Sequence, residues 1–284
     1  MGWLTGPWHD GWFVRGMAAA VLSGALCGLI GTFIVLRRMS YIGHGLSHAV
    51  LGGAVVGYEL GTGLVATGAA WGAVSALLIT AVARTRKVGA DAAIGIVTTA
   101  SYAIGVAIIS RGHSFTRNFE AVFFGNVLGV FSGDLWLLAG VSVAVAITIF
   151  FFYKQLVFVT FDPDVAGTYG VATGRVDVVF ALVLAASIVA TMRVLGVTLI
   201  AAAVVTPAVV ARLSTDSFAR MLGLSVAVGA FTGFVGMYVS DWLDIASGAT
   251  ITLAASALFV IVYVAGRWRR VSGDPLDSLT VAIH

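Results

Sequence analysis

The sequence predicts an all-α polytopic membrane protein with about nine transmembrane helices. Three observations predict it. Of its 284 residues 60% are hydrophobic and only 10% are charged, against about 25% charge in a soluble domain; water cannot solvate a surface so poor in ions. Apolar runs of about 20 residues, the length that crosses a bilayer core, recur between short polar breaks. These runs are apolar on every face, as at 199–210, where the strands of an outer-membrane barrel alternate in polarity. Lipid offers the backbone no hydrogen-bond partner, so such runs must be helices.

Residues 1–12 carry Trp3, Trp8 and Trp12 and are expected to lie along the membrane interface, where a ring with one polar edge is stable. They have no cationic start leading into an apolar run, so they do not read as a signal peptide. The transmembrane domain is expected over 13–266 as one unit. Its spans are read at 14–36, 42–61, 64–83, 91–110, 134–152, 175–192, 196–213, 221–240 and 249–266. The first four are separated by polar breaks containing Arg37 and Arg38, Gly61 to Gly63, and Arg84 to Lys87. Little more than Arg193 separates the sixth from the seventh, so eight spans with a re-entrant segment fit almost as well. Residues 267–284 form the expected cytoplasmic tail. Glycines spaced four apart, Gly24 and Gly28, Gly53 and Gly57, Gly229 and Gly233, predict close helix packing. Cys27, the sole cysteine, lies in an apolar run and reads as a small packed residue.

The basic residues set the orientation. With the N-terminus outside and the C-terminus inside, twelve of the 16 Lys and Arg fall on the inner side, leaving Arg15, Arg111, Arg117 and Arg193 outside. The opposite orientation reverses the ratio against the positive-inside bias.

Some chemistry is excluded by motif. No GxxxxGK[ST] loop exists, and the two lysines, Lys87 and Lys154, follow Arg86 and Tyr153, so the chain lacks that route to ATP. No HExxH is present. Four segments remain informative. In residues 36–53, LRRMSYIGHGLSHAVLGG, His44 and His48 stand four apart and share one helix face. Such a pair can hold one divalent ion, or it can hydrogen-bond neighbouring helices or simply lie near the headgroups. In residues 158–174, Asp162-Pro163-Asp164 is a helix start, with Asp162 as cap and proline at the first position. Val165, Ala166 and Tyr169 offer a small apolar face and Gly170 ends the turn; this is either a docking helix or an ordinary interfacial loop. Pro207, inside the seventh span, removes a backbone hydrogen bond and predicts a kink, in a pathway or in packing. Asp241 and Asp244 stand at the outer end of the eighth span, either attracting cations at an entry or simply solvated.

Together these segments resemble the membrane subunits of bacterial ABC importers for zinc, manganese or iron, the ABC-3 family. The pieces occur in family order over residues 13–266: VLRRMSYIGHGLSHAVLGG, DAAIGIV at 91–97, FGNVLGV at 124–130, TFDPDVAGTYG at 160–170, VLGVTLIAAAVVTPAVVARL, and SGAT at 247–250. The resemblance implies an ABC type II-like permease fold in the bacterial cytoplasmic membrane and no permanently bound cofactor. It implies a homodimer with the pathway between its copies and Zn2+ or Mn2+ as the ion carried. It further implies two cytoplasmic ATPase subunits and an extracytoplasmic metal-binding protein, and no nucleic-acid partner. Residues 160–170, with Asp162, Pro163, Asp164, Ala166, Tyr169 and Gly170, become the expected coupling segment. His44, His48 and Asp244 become the expected metal pathway, with Pro207 shaping it. One position departs: the family has aspartate followed four residues later by histidine, where this chain has His44 and His48. An imidazole in place of a carboxylate suits zinc over manganese and removes one negative charge. Neutral imidazole is the ligand form, so transport should fall as the histidines protonate. Two other classes stand beside this one. An ion-coupled carrier would place several acids at mid-membrane, whereas Glu59, Asp91, Asp134, Asp177 and Asp241 sit at helix ends and loops. An intramembrane metalloenzyme would need a third ligand and a general acid or base that the sequence does not identify.

Overall fold

A computed structural model describes residues 8, 10–85, 87–112, 123–125 and 127–272. Trp3, Arg86 and Arg117, and the tail beyond residue 272, lie outside the described residues. Among the described residues there are eleven α-helices and no strand: α1 Gly11–Leu36, α2 Ile42–Glu59, α3 Leu64–Ala83, α4 Ala90–Gly112, α5 Ser132–Phe151, α6 Tyr153–Phe161, α7 Pro163–Thr168, α8 Thr173–Leu195, α9 Ile200–Ser214, α10 Phe218–Leu243 and α11 Ser247–Ser272.

Seven of these, α1, α3, α4, α5, α8, α10 and α11, are long and apolar enough to cross a membrane. The other two expected spans are the helices α2 and α9. Helix α2 carries both histidines and packs between α3 and α4; surrounded by protein, it tolerates polar groups that a lipid-facing helix would not. Helix α9 has 15 residues, about 22 Å at 1.5 Å per residue, and packs against α1, α10 and α11. It runs as one helix through the buried Pro207. The break in this region lies just before it, at Gly196, where φ is +78°.

Helices α1 and α8 form the centre and supply the largest fully buried side chains, including Phe13, Ile30, Phe33, Ile34, Leu184, Ile188 and Leu195. The seam between α1 and α10 is set by glycine. A Cβ on Gly24 would stand 2.0 Å from the Gly229 carbonyl oxygen, and one on Gly229 would stand 2.0 Å from that of Gly24. The Ser225 hydroxyl donates to the Gly28 carbonyl across the same seam, at 2.6 Å. Lipid tails are as apolar as the helices, so association rests on this close packing and on interhelical hydrogen bonds. The glycines predicted to pack closely at 24, 28, 229 and 233 therefore line one seam, and Gly53 and Gly57 pack likewise against Trp71 and Thr67 of α3.

Two turns hold the histidine-bearing helix in place. Helix α1 ends in a Schellman motif: Met39 N–H donates to Ile34 O and Arg38 N–H to Val35 O, which requires a left-handed residue at Arg38, where φ is +56°. The turn between α8 and α9 is held from three sides. The Thr198 hydroxyl donates to Phe123 O at 2.7 Å, Gly125 abuts Gly196, and Gly248 abuts the Leu195 carbonyl.

Candidate functional site

Helix α2 starts just after the Arg38 turn, so its first turns hold the histidines close to the C-terminal end of α1. The helical period puts both on one face, and their rings stand edge to face with centroids 4.5 Å apart. An ion held about 2.1 Å from one nitrogen of each ring lies roughly 3.2 Å from each ring centre, so sharing one ion at this spacing requires that a nitrogen of each ring turn to a common point. The rings are bracketed by aromatics: Tyr41 stands 5.3 Å from His44 and Tyr102 of α4 stands 5.4 Å from His48. Both histidines are half-buried, and His48 Nδ1 is buried without a hydrogen-bond partner. Among the described residues no third His, Cys, Asp or Glu joins them; the pair within one chain is two ligands, not a complete shell.

Between the histidines, Ser47 ties α2 to the α8–α9 turn. Its hydroxyl lies 2.8 Å from the His44 carbonyl oxygen and 2.9 Å from that of Val197. Ser47 and Tyr41 lie within the segment the sequence marked, yet only their geometry singles them out. Tyr102 belongs to an apolar span with no local signal that it meets His48.

The segment 160–170 folds into the capped helix its sequence predicts. Asp162 caps α7, its carboxylate accepting from Val165 N–H at 2.9 Å, with Pro163 at the first helical position and Asp164 in the first turn. A second Schellman motif closes it: Val171 N–H donates to Ala166 O and Gly170 N–H to Gly167 O, with Gly170 at φ +80°. Ala166 is fully buried and anchors the helix inward, while Val165, Tyr169 and the neighbouring Phe161 are exposed. The outward apolar face is thus Phe161, Val165 and Tyr169, and Tyr169 leans on Phe158, with ring centroids 6.0 Å apart.

Arg37, just past the end of α1, connects this segment to the bundle. Its Nε donates to Thr160 Oγ1 of α6 at 3.1 Å, and its Nη1 pairs with Asp177 Oδ1 of α8 at 3.0 Å. The guanidinium lies over the Phe180 ring, 4.4 Å from its centroid. Burial lowers its pKa from the ordinary value and the Asp177 carboxylate opposes that shift; the group stays charged, as arginine does in proteins.

Asp244 stands elsewhere. It ends α10 in the left-handed region, at φ +52°, and with Asp241, Trp12, Gly125, Ser240 and Ser247 lines a pocket of about 330 Å³. The structure brings His44 and His48 together and puts Asp244 in a separate pocket with Asp241. Pro207 is buried within α9.

The family model of the ABC 3 transport family matches residues 10–266. The manganese transport system membrane protein MntC of Halalkalibacterium halodurans is 36% identical over 88% of this chain and 85% of that protein. The chelated iron transport system membrane protein YfeC of Yersinia pestis is 30% identical over 90% of this chain and 87% of that one. Among solved structures, PsaBC from Streptococcus pneumoniae in complex with Fab is similar at a TM-score of 0.82 and 30% identity, covering 92% of this chain and 94% of that chain.

Proposed function

The chain belongs to the ABC 3 transport family, and from that premise we infer that it is the membrane permease of an ATP-driven importer of divalent transition metal ions. The observation that carries the reading is the edge-to-face imidazole pair of α2, held on a helix that protein rather than lipid surrounds.

The two histidines offer two nitrogen ligands, and a second copy of the chain brings a second pair to the pathway between the copies. A metal-binding protein docks outside and releases one ion; the ion passes the outer carboxylates Asp241 and Asp244 and then the imidazoles. Incomplete coordination by one chain suits a transit site, which must release what it binds. Phe161, Val165 and Tyr169 form the surface that receives the ATPase, so hydrolysis there tilts α7 and alternates access. The N-terminus lies outside, and residues 267–284 are a cytoplasmic tail.

The relatives' names speak of manganese and of chelated iron. His44 argues for a shift towards zinc in this chain, because imidazole nitrogen suits zinc and carboxylate oxygen suits manganese. The test is metal content after growth in metal-limited medium, comparing a deletion strain with the same strain carrying wild type, His44→Asp or His48→Ala. Wild type is expected to restore zinc, His48→Ala to fail, and His44→Asp to move accumulation towards manganese. If wild type restores none of zinc, manganese and iron, the importer reading falls. If both histidine variants transport as wild type does, the pair is not the pathway.

A further inference from the structure

We propose that Arg37 is the joint through which the ATPase-facing segment moves the histidine-bearing helix. The proposal rests on the permease reading, and within it on residues 160–170 as the coupling segment.

Arg37 stands where three elements meet. Its Nε reaches Thr160 of α6, its Nη1 reaches Asp177 of α8, and its Cζ lies over the Phe180 ring of α8, 4.4 Å from the centroid. Its backbone caps α1. The guanidinium is a rigid planar fork and charge-assisted hydrogen bonds are directional, so a shift of α6 drags Arg37 where an apolar contact would slide. Thr160 is followed after Phe161 by the cap Asp162, which is bonded to α7, so Thr160 lies two residues before the cap of that helix. On the other side the turn at Arg38 is closed by two backbone bonds and enters α2 at Ile42, two residues before His44. The chain of contacts runs from α7 through Thr160, Arg37 and the Arg38 turn to the imidazoles.

A joint needs a second position, and the geometry provides for one. Arg37 Nη2 is buried with no acceptor, and Asp177 is engaged through Oδ1. A buried donor left idle is uncommon. The second position of the proposal is a rotation of the guanidinium that carries Nη2 to the Asp177 carboxylate, exchanging the one-point pair for a two-point fork and releasing Thr160. The observed arrangement and the fork are the two positions of the joint.

Arg37 is a positioning residue, and its test must read coupling rather than folding. The chain is assembled in liposomes with its ATPase and binding-protein partners, and the zinc(II) or manganese(II) delivered per ATP hydrolysed is measured. Thr160→Val removes the acceptor on α6 and leaves the Arg37–Asp177 pair intact, so no charge is stranded. Ions delivered per ATP are expected to fall about five-fold or more, with hydrolysis near wild type, and Thr160→Ser is expected to restore the ratio. An unchanged ratio in Thr160→Val overturns the proposal, and so does an equal fall in hydrolysis and transport, which marks a merely structural bond. Tyr169→Cys cross-linking to the ATPase separates the two layers of inference. If no cross-link forms, the coupling-segment reading falls and the joint with it; if the cross-link forms and the ratio is unmoved, only the joint falls.

Discussion

Arg38 holds a backbone conformation that costs an L-residue with a Cβ roughly 1–2 kcal/mol, at the one turn that joins the central helix to the histidines. Glycine removes that cost but adds freedom to the unfolded chain. Arg38→Gly is therefore expected to change the thermal midpoint of the purified permease by little, or to raise its stability by up to about 1 kcal/mol, while loosening the turn. Uptake should fall if a stiff turn carries motion to α2. At this scale the sequence was legible where two residues share a helix face: His44 and His48 are neighbours because helices repeat every 3.6 residues. It was silent where the partner comes from another helix. Tyr102 beside His48 and Asp177 beside Arg37 depend on how whole helices cross, which local spacing does not encode. Asp162 was legible because a cap, a proline and a closing glycine act within a single short helix.

At the scale of the element, the seam between α1 and α10 leaves no room for a side chain. Gly24→Val would drive methyl groups into the Gly229 carbonyl, backbone that cannot rotate aside. Overpacking costs about 1–3 kcal/mol where side chains can yield, so this variant is expected at or above that range, seen as a large drop in the midpoint of thermal unfolding in detergent. Gly95→Ala on α4, where a Cβ meets nothing within 4 Å, should leave the midpoint level or slightly raise it. The glycine spacing marked these positions for close packing without saying which helices meet, and hydropathy read the seven helices long and apolar enough to cross. The α8–α9 break was only half legible: the short polar gap hinted at it, but Gly196 is forced into its turn by Gly125 and Gly248, which come from distant parts of the chain.

The whole molecule presents an apolar exterior. Trp136, Phe150, Phe151, Leu253 and Ile261 are largely exposed, a surface stable only against lipid or a second copy of the chain. Helix α7 adds Asp162 and Asp164 beside its exposed apolar side chains, and Asp241 and Asp244 line a pocket at the C-terminal end of α10. If the basic residues orient the protein as the positive-inside bias demands, a membrane-impermeant maleimide should label Trp242→Cys in intact cells and Tyr169→Cys only after the membrane is opened. The reverse pattern would invert the assigned topology. The native thiol should stay silent in both, because Cys27 is buried.

Ser47 owns one hydrogen and has two carbonyl oxygens in reach, His44 at 2.8 Å and Val197 at 2.9 Å. It can point to either or be shared between them. The hydroxyl's share in tying the histidine-bearing helix to the α8–α9 turn is therefore exchangeable: rotation about the Cβ–Oγ bond hands the hydrogen from the turn back to the helix. Small side-chain rotations take picoseconds to nanoseconds, far faster than a transport cycle, and the number of hydrogen bonds is the same before and after. The tie beside the imidazoles can thus trade one acceptor for the other with the count of its hydrogen bonds unchanged.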